Sequence, residues 1–210
     1  DILFGWQKPI IEAASEMERM RVMLRGLNKD KANPGKAAAE DMQYIVDMAQ
    51  NAPFAMQALT DSFVKFRSAG LDPTDGSLKA LVDSVARFGG DSELLKRAAV
   101  AVQQMSGKGV VSMEELRQQL GEAVPNAIEM MAVGTGKSMA QLVKDVSTGT
   151  VEAKSAIERM FMAMKREVLR LGGYQREFFV SQTPELTAMA DAVIDLESHA
   201  ESSRIAPAWV

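Results

Sequence analysis

Apolar residues recur along most of the chain at steps of three and four, which is the spacing of one face of an α-helix. The N-terminal stripe comprises Ile10, Ala13, Ala14, Met17, Met20, Leu24 and Leu27, where we expect the first helix to stop. No run rich in Val, Ile and Thr alternates with polar residues over a length that would anchor a β-sheet. The pattern predicts an all-α fold of several short helices and a few longer amphipathic ones, arranged as a helical bundle or a hairpinned helical array.

Gly and Pro divide this pattern into separate helices. A turn or flexible linker is predicted over 28–36, because Pro34 restricts the residue before it and the adjacent glycine permits positive φ. A second helix is predicted over 37–50. Pro53 suits the first turn of a third helix.

The stretch 70–138 contains short helices with capping signals at their ends. In chain order, these signals are a loop over 71–76, Ser77, Gly89-Gly90, Asp91 or Ser92, Gly107-Lys108-Gly109, Gly121, Pro125 and Asn126. Two further pairs, Ser112 with Glu115 and Ser138 with Gln141, have the spacing of a capping box. We therefore expect this stretch to be compact.

In the last third of the chain, the helical pattern of apolar residues continues over longer segments. One long amphipathic helix is predicted through Ile157, Met160, Phe161, Met164, Val168 and Leu171. Gly172-Gly173 breaks it, and Thr183-Pro184 opens a last helix.

The pattern as a whole suggests three regions. They are an N-terminal amphipathic helix and linker (1–36), a compact helical domain (37–150) and a C-terminal region with the long helix and the terminal helix (151–210).

Composition removes several classes of function. The 210 residues contain no cysteine and one histidine, His199, so disulfides, thiolate chemistry and multi-His metal sites are excluded. A net charge of -4 argues against a dedicated nucleic-acid binder. No apolar run reaches the roughly 18 residues of a membrane-spanning helix, and no signal peptide is visible. The 15 methionines indicate adaptable helix packing or, alternatively, a promiscuous partner surface.

One segment, Gly134-Thr135-Gly136-Lys137-Ser138, ends like a phosphate-binding loop. Such a loop needs a glycine five residues before Gly136, where this chain has Met131, and a preceding β-strand. Here 128–133 has a helical pattern. We therefore predict a helix end, a glycine turn and a Ser138 N-cap, with nucleotide binding as the minor alternative.

Other candidate chemistry has simpler structural explanations. Adjacent carboxylates such as Glu114 and Glu115 point about 100° apart on a helix, so they do not converge. The second acidic pair, Asp61 and Asp83, gives no evidence of a shared cleft, and His199 is expected to be a surface residue.

Basic residues cluster at 19–36 and 165–176, where they alternate with apolar stripe positions. Solvated helix faces explain both clusters, and a surface for an acidic partner or nucleic acid is the alternative. We therefore predict no catalytic, cofactor-binding or metal-ligating residue.

The order of short sequence motifs in the central stretch resembles that in the tape measure proteins of tailed bacteriophages and prophages. These motifs are Phe63-Val64-Lys65-Phe66, Gly70-Leu71-Asp72-Pro73, Phe88-Gly89-Gly90, Ala101-Val102-Gln103-Gln104-Met105, Gly107-Lys108-Gly109, Glu114-Glu115-Leu116-Arg117-Gln118-Gln119-Leu120-Gly121-Glu122-Ala123 and Val124-Pro125-Asn126-Ala127. The resemblance runs from about Phe54 to Met164 and is densest over 107–127.

This resemblance implies an all-helical virion structural protein without catalytic residues or cofactors. Such proteins occupy the lumen or tip of a phage tail, set its length during assembly in the bacterial cytoplasm, and leave ahead of the DNA at ejection. Implied partners are the tail tube protein, tail tip or baseplate hub proteins and tail assembly chaperones. Self-association, including trimers, non-specific DNA contact and host membrane contact at ejection are also compatible with it.

Length limits what this segment could measure. Fully helical, 210 residues would reach only about 315 Å, and the Gly and Pro breaks make it shorter. We therefore expect a compact or hairpinned portion of a longer tape measure. The alternatives are a cell-wall hydrolase segment acting during infection, or a helical adaptor unrelated to phage.

Overall fold

The computed structural model describes residues 7–170 and, in the first helix, the side chains of Ser15 and of Met17 onwards. The helices are α1 (Gln7–Leu27), α2 (Pro34–Asn51), α3 (Met56–Ser68), α4 (Ser77–Arg87), α5 (Ser92–Lys108), a π-helical segment (Glu114–Leu120), α6 (Gly121–Ala123), α7 (Ala127–Thr135), α8 (Met139–Ser147) and α9 (Ala153–Arg170). A short 3-10 turn (Pro73–Asp75) precedes α4. The all-α prediction is confirmed.

Several predictions concern residues outside this range. The break at Gly172-Gly173, the helix opened by Thr183-Pro184, His199 and the end of the second basic cluster all lie beyond the described residues. The three-region division at 1–36, 37–150 and 151–210 stays a prediction. Among the helices between Gln7 and Arg170, none is both long enough and apolar enough to cross a bilayer.

Two predicted prolines have different roles from those expected. The linker is shorter than 28–36, because Asn33 accepts a hydrogen bond from the Lys36 N–H at 3.0 Å and Pro34 occupies the first turn of α2. Proline is favoured there, since its missing N–H would have no partner inside the helix. The third helix begins at Met56, so Pro53 lies before it and not in its first turn.

Glycine ends α4, α5 and α7 as predicted, and the ends of α4 and α7 show the geometry. At the end of α4, Gly89 has φ +74°, and the N–H groups of Gly89 and Gly90 bond to the carbonyls of Ala86 and Val85. At the end of α7, Gly136 has φ +68° and its N–H bonds to the carbonyl of Val133. Both ends have the Schellman geometry, in which a left-handed residue lets the chain reverse while carbonyls stay satisfied.

The core forms one continuous cluster that joins the early and the late helices. Phe66 of α3 and Phe161 of α9 are fully buried, with ring centroids 5.3 Å apart. Helix α9 packs against α7 and α4, and α3 packs against α5. Because these contacts join residues almost a hundred positions apart, α9 completes the core that α3, α4 and α5 begin.

A buried polar cluster anchors α1 to α2 and α3. The Asp41 carboxylate, 5% exposed, accepts hydrogen bonds from the Asn28 side-chain amide at 2.7 Å and from Arg67 Nη2 at 2.9 Å. The Arg67 guanidinium also lies over the Phe63 ring, 5.4 Å from its centroid. A buried carboxylate is tolerated only when it is paired and hydrogen-bonded, so this cluster fixes how the end of α1 meets the next two helices.

Candidate functional site

The segment that ends like a phosphate-binding loop is a junction between two helices. Helix α7 runs to Thr135 and ends at Gly136, and the Ser138 hydroxyl caps α8 by accepting from the Gln141 N–H at 3.2 Å. The Lys137 ammonium forms an ion pair with Asp145. The predicted helix end, glycine turn and N-cap are confirmed. A phosphate-binding loop instead follows a β-strand, so this geometry does not supply one.

The first glycine of that segment has a different role, which the sequence did not reveal. Gly134 lies inside α7 where that helix crosses α9. A Cβ atom built on Gly134 would lie 2.6 Å from the carbonyl carbon of Arg159 and 2.9 Å from the amide nitrogen of Met160. Real Cβ contacts are essentially never shorter than 3.0 Å. Gly134 is therefore required for the two helix backbones to approach this closely.

Methionines surround the crossing. Met130 and Met131 of α7, and Met160 and Met164 of α9, are all at least nine-tenths buried. Unbranched methionine side chains fill the irregular gaps that a close helix crossing leaves. This placement supports the interpretation that the methionines serve adaptable packing, although Met162 remains 56% exposed.

The stretch with the densest family resemblance is held by a buried ion pair. Glu115, in the π-helical segment, is 3% exposed and its Oε1 bonds to the Lys108 ammonium at the end of α5. Its Oε2 has no hydrogen-bond partner. Burial raises the pKa of the Glu115 carboxyl, but Lys108 and the nearby Ser112 hydroxyl outweigh it, so the pKa lies below its usual value.

The predicted capping box at Ser112 and Glu115 is wrong in its reciprocal half. The Glu115 side chain bonds to Lys108, and its second oxygen has no partner. The helix here widens into a π-helix, in which the Gly121 N–H bonds to the carbonyl of Leu116, five residues earlier. A Cβ on Gly121 would lie 3.2 Å from that oxygen, so glycine suits this wider turn.

The same stretch is also tied to the start of α9 and to α5. The Val111 N–H bonds to the Val151 carbonyl at 2.9 Å and the Ala153 N–H to the Gly109 carbonyl at 3.0 Å. Arg97 pairs with Glu122 at 2.8 Å on the surface. The residues of the stretch 107–127, where the family resemblance is densest, therefore mostly pack helices together and cap their ends.

The carboxylates of the two predicted pairs lie in separate local environments. Glu114 is exposed whereas Glu115 is buried, which confirms that they do not converge. Asp61 accepts from Gln57 at 2.9 Å, and Asp83 accepts from Lys79 at 2.6 Å, each one turn away on its own helix. Burial raises the pKa of Asp83 above its usual value despite Lys79.

Residues 7–170 contain no group of three acidic or histidine side chains that could hold a metal ion. The arginines of the first basic cluster, Arg19, Arg21 and Arg25, are exposed on α1. Residues 7–170 form a helical structural domain. Its motif-bearing residues cap helices, lie where helices cross, or form ion pairs.

Comparisons with known proteins agree with this class. A family model described as "Tape measure protein" matches residues 8–170. The chain is 29% identical over 162 residues to "Mu-like prophage FluMu protein gp42" of Haemophilus influenzae, covering 76% of this chain and 24% of that protein. It is 32% identical over 125 residues to "Probable tape measure protein" of Salmonella phage Felix O1, covering 56% of this chain and 17% of that one. No solved structure matches.

The chain belongs to the tape measure protein family, because the family model covers well over half of its residues. The family resemblance inferred from the order of the short sequence motifs is thereby confirmed. The chain spans about a quarter or less of the length of the relatives it matches.

The helix crossing gives a direct stability prediction. We expect Gly134→Ala to lower the free energy of unfolding by about 2–3 kcal/mol, because the new methyl group must push two backbones apart. Urea unfolding followed by circular dichroism measures this change.

Gly107→Ala is the matched control. Gly107 lies in α5, and a Cβ there meets nothing within 4 Å. This variant should be neutral or stabilised by up to about 1 kcal/mol. Equal effects of the two substitutions would contradict the crossing.

The Glu115 pair gives a pH prediction. The pKa of Glu115 is lower in the folded chain than its usual value, so the ion pair stabilises the fold above about pH 4.3 and is lost as the pH falls through the folded value. We expect Glu115→Gln to cost about 1 kcal/mol at pH 7. The difference between wild type and variant should shrink below about pH 4.3.

Unfolding in urea across pH 2.5–7 measures this, with the exposed neighbour substituted as Glu114→Gln for comparison. A difference that stays constant across this range, or one that Glu114→Gln reproduces, would show that Glu115 is not ionised and paired as described.

Proposed function

We propose that this chain is a folded segment of a tape measure protein that acts as a structural component of a phage tail. In this role the protein sets tail length during assembly, occupies the tail lumen or tip, and is released ahead of the DNA at ejection. The observation that carries the proposal is that the family match, 8–170, covers the helices that residues 7–170 form.

Within the whole protein, this segment serves as a folded unit and the ruler lies elsewhere. As one continuous helix, residues 7–170 would span about 245 Å. A folded domain of that size has a radius of gyration of only about 15 Å. Repeated helix breaks and the packing of α9 onto α4 and α7 support the folded form.

The partners that fit this role are tail proteins. They are the tail tube protein, tail tip or baseplate hub proteins and tail assembly chaperones, with self-association, including trimers, as part of the same proposal. Contact with DNA in this role would be non-specific and weak, because a net charge of -4 argues against a dedicated nucleic-acid binder. Host membrane contact at ejection is a further part of this role.

Tail length tests the folded-unit proposal. A 60-residue uninterrupted helical sequence inserted after Gly149, in the exposed α8–α9 loop, should leave tails at their normal length in electron micrographs. A ruler segment with the same insertion would lengthen the tail by about 90 Å. The same insertion elsewhere in the full-length protein, in an uninterrupted helical segment, provides the comparison. Tails lengthened by the Gly149 insertion would refute the proposal.

We also propose that this segment is not an enzyme. In a peptidoglycan zymogram we expect no clearing by the purified chain, because three of the four carboxylates considered as candidates, Asp61, Asp83 and Glu115, bond to Gln57, Lys79 and Lys108. Reproducible clearing that disappears in Asp83→Asn or Glu115→Gln, while the variant stays folded, would establish a cell-wall hydrolase instead.

A further inference from the structure

The end of α1 and the turn after it concentrate positive charge in a chain that is acidic as a whole. Residues 19–36 hold six basic side chains and one acidic one, and all six basic side chains are exposed. The other residues hold the remaining 18 of the 24 basic side chains and 27 of the 28 acidic ones. An anionic partner would therefore be attracted to this region and repelled by the rest of the chain.

Three of these side chains, Arg21, Arg25 and Lys29, form a row that we call the basic row. Residues four apart lie close to one another on the same side of a helix, about 6 Å apart along its axis. The helical path continues past the end of α1, because the Lys29 N–H bonds to the Gly26 carbonyl at 3.3 Å. The row is therefore a regular series of exposed cations.

The basic row has a fixed support. Leu24, between the two arginines of the row, is fully buried. Asn28, next to the lysine of the row, bonds through its side chain to the buried Asp41 carboxylate at 2.7 Å, which Arg67 also holds. The backbone that carries the cations is thus held in place, so binding would require no ordering of this segment.

Helix stability does not account for the row, because like charges four residues apart destabilise a helix. No described carboxylate lies within 4.0 Å of Arg25 or Lys29. Glu18 lies 3.8 Å from Arg21, but both side chains are about two-thirds exposed, so solvent screens the pair. The helix dipole favours a cation in the last turn, which explains Arg25 but not Arg21. A local arrangement that opposes stability indicates a functional constraint.

The composition of this face favours DNA over a protein partner. Protein–protein interfaces are depleted of lysine and enriched in aromatic side chains, whereas protein–DNA interfaces are more polar and much more positively charged. No aromatic residue occurs over 15–36, and Val22 is the apolar side chain most exposed beside the row. Alternate phosphates of one DNA strand lie about 7 Å apart along the duplex axis, which is close to the spacing of the row.

We propose that the basic row contacts the phosphate backbone of double-stranded DNA without reading its base sequence. The inference rests on the proposed function, because it assigns the DNA contact of that role to one surface of the chain. It fails separately from that role, because tail length after the insertion at Gly149 does not depend on whether the row binds DNA.

Fluorescence anisotropy of a labelled thirty-base-pair duplex, titrated with the full 210-residue chain, tests the proposal. Three phosphate contacts predict a slope of about -2.7 for the logarithm of affinity against the logarithm of salt concentration. Affinity should therefore fall about 40-fold between about 50 and 200 mM salt. A second duplex of unrelated sequence should bind within about twofold of the first, because phosphate contacts carry no sequence information.

Removing the three charges locates the contact. The combined variant Arg21→Gln, Arg25→Gln and Lys29→Gln should bind at least about tenfold more weakly at 50 mM salt, with a slope near zero. Glutamine keeps the helix propensity of the residues it replaces, and circular dichroism should show unchanged helicity. Val22→Ala should keep wild-type affinity, because phosphate contacts do not use this side chain.

A matched control removes the same net charge elsewhere. It combines three substitutions of exposed basic residues on other helices, Arg117→Gln, Lys144→Gln and Lys154→Gln. This variant should stay within about threefold of wild type and keep the wild-type slope, because its charges lie outside the row.

Three results would overturn the proposal. The first is no binding of either duplex at 50 mM salt. The second is an equal loss of affinity in the matched control, which would show that net charge and not the row governs binding. The third is binding of poly-glutamate as tight as that of DNA at equal charge and salt concentration, which would identify an acidic protein as the partner instead.

Discussion

The approach of the α7 and α9 backbones at Gly134 is the constraint on which the rest of the domain depends. Helix α9 carries Phe161, which meets Phe66 of α3 in the centre of the core. It also supplies the wall that covers α4. If α9 stood even one methyl group further from α7, its aromatic contact and its packing on α4 would have to adjust together, since interiors are close-packed.

Two kinds of interaction organise the domain around that crossing. Apolar packing joins helices far apart in sequence, as α9 shows. Charged groups act more locally in sequence: Asp41 joins α1, α2 and α3 through Asn28 and Arg67, and Lys108 joins the end of α5 to the π-helical segment through Glu115. Each of these buried carboxylates therefore bonds to a group outside its own helix, so that it adds a directional contact to the apolar packing.

Helix identity and most helix ends could be predicted from the sequence, because they depend on local chemistry. Periodic apolar positions, Gly89 and Gly136 all act within a few residues of themselves. The same is not true of Gly134, whose role depends on a backbone 25 residues away. Nor could the π-helical turn be predicted from the neighbouring residues, since Gly121, Ser112 and Glu115 are equally compatible with an ordinary α-helix. Pro34 was ambiguous because proline fits both a linker and a first helical turn.

The contact at Gly134 has a further evolutionary consequence. Gly134 has no side chain, and it faces the main chain of Arg159, so the Arg159 side chain takes no part in the contact. Position 134 is therefore tightly constrained while position 159 is free to vary. Methods that infer proximity from correlated substitutions need both partners to change, and they would overlook this contact between α7 and α9.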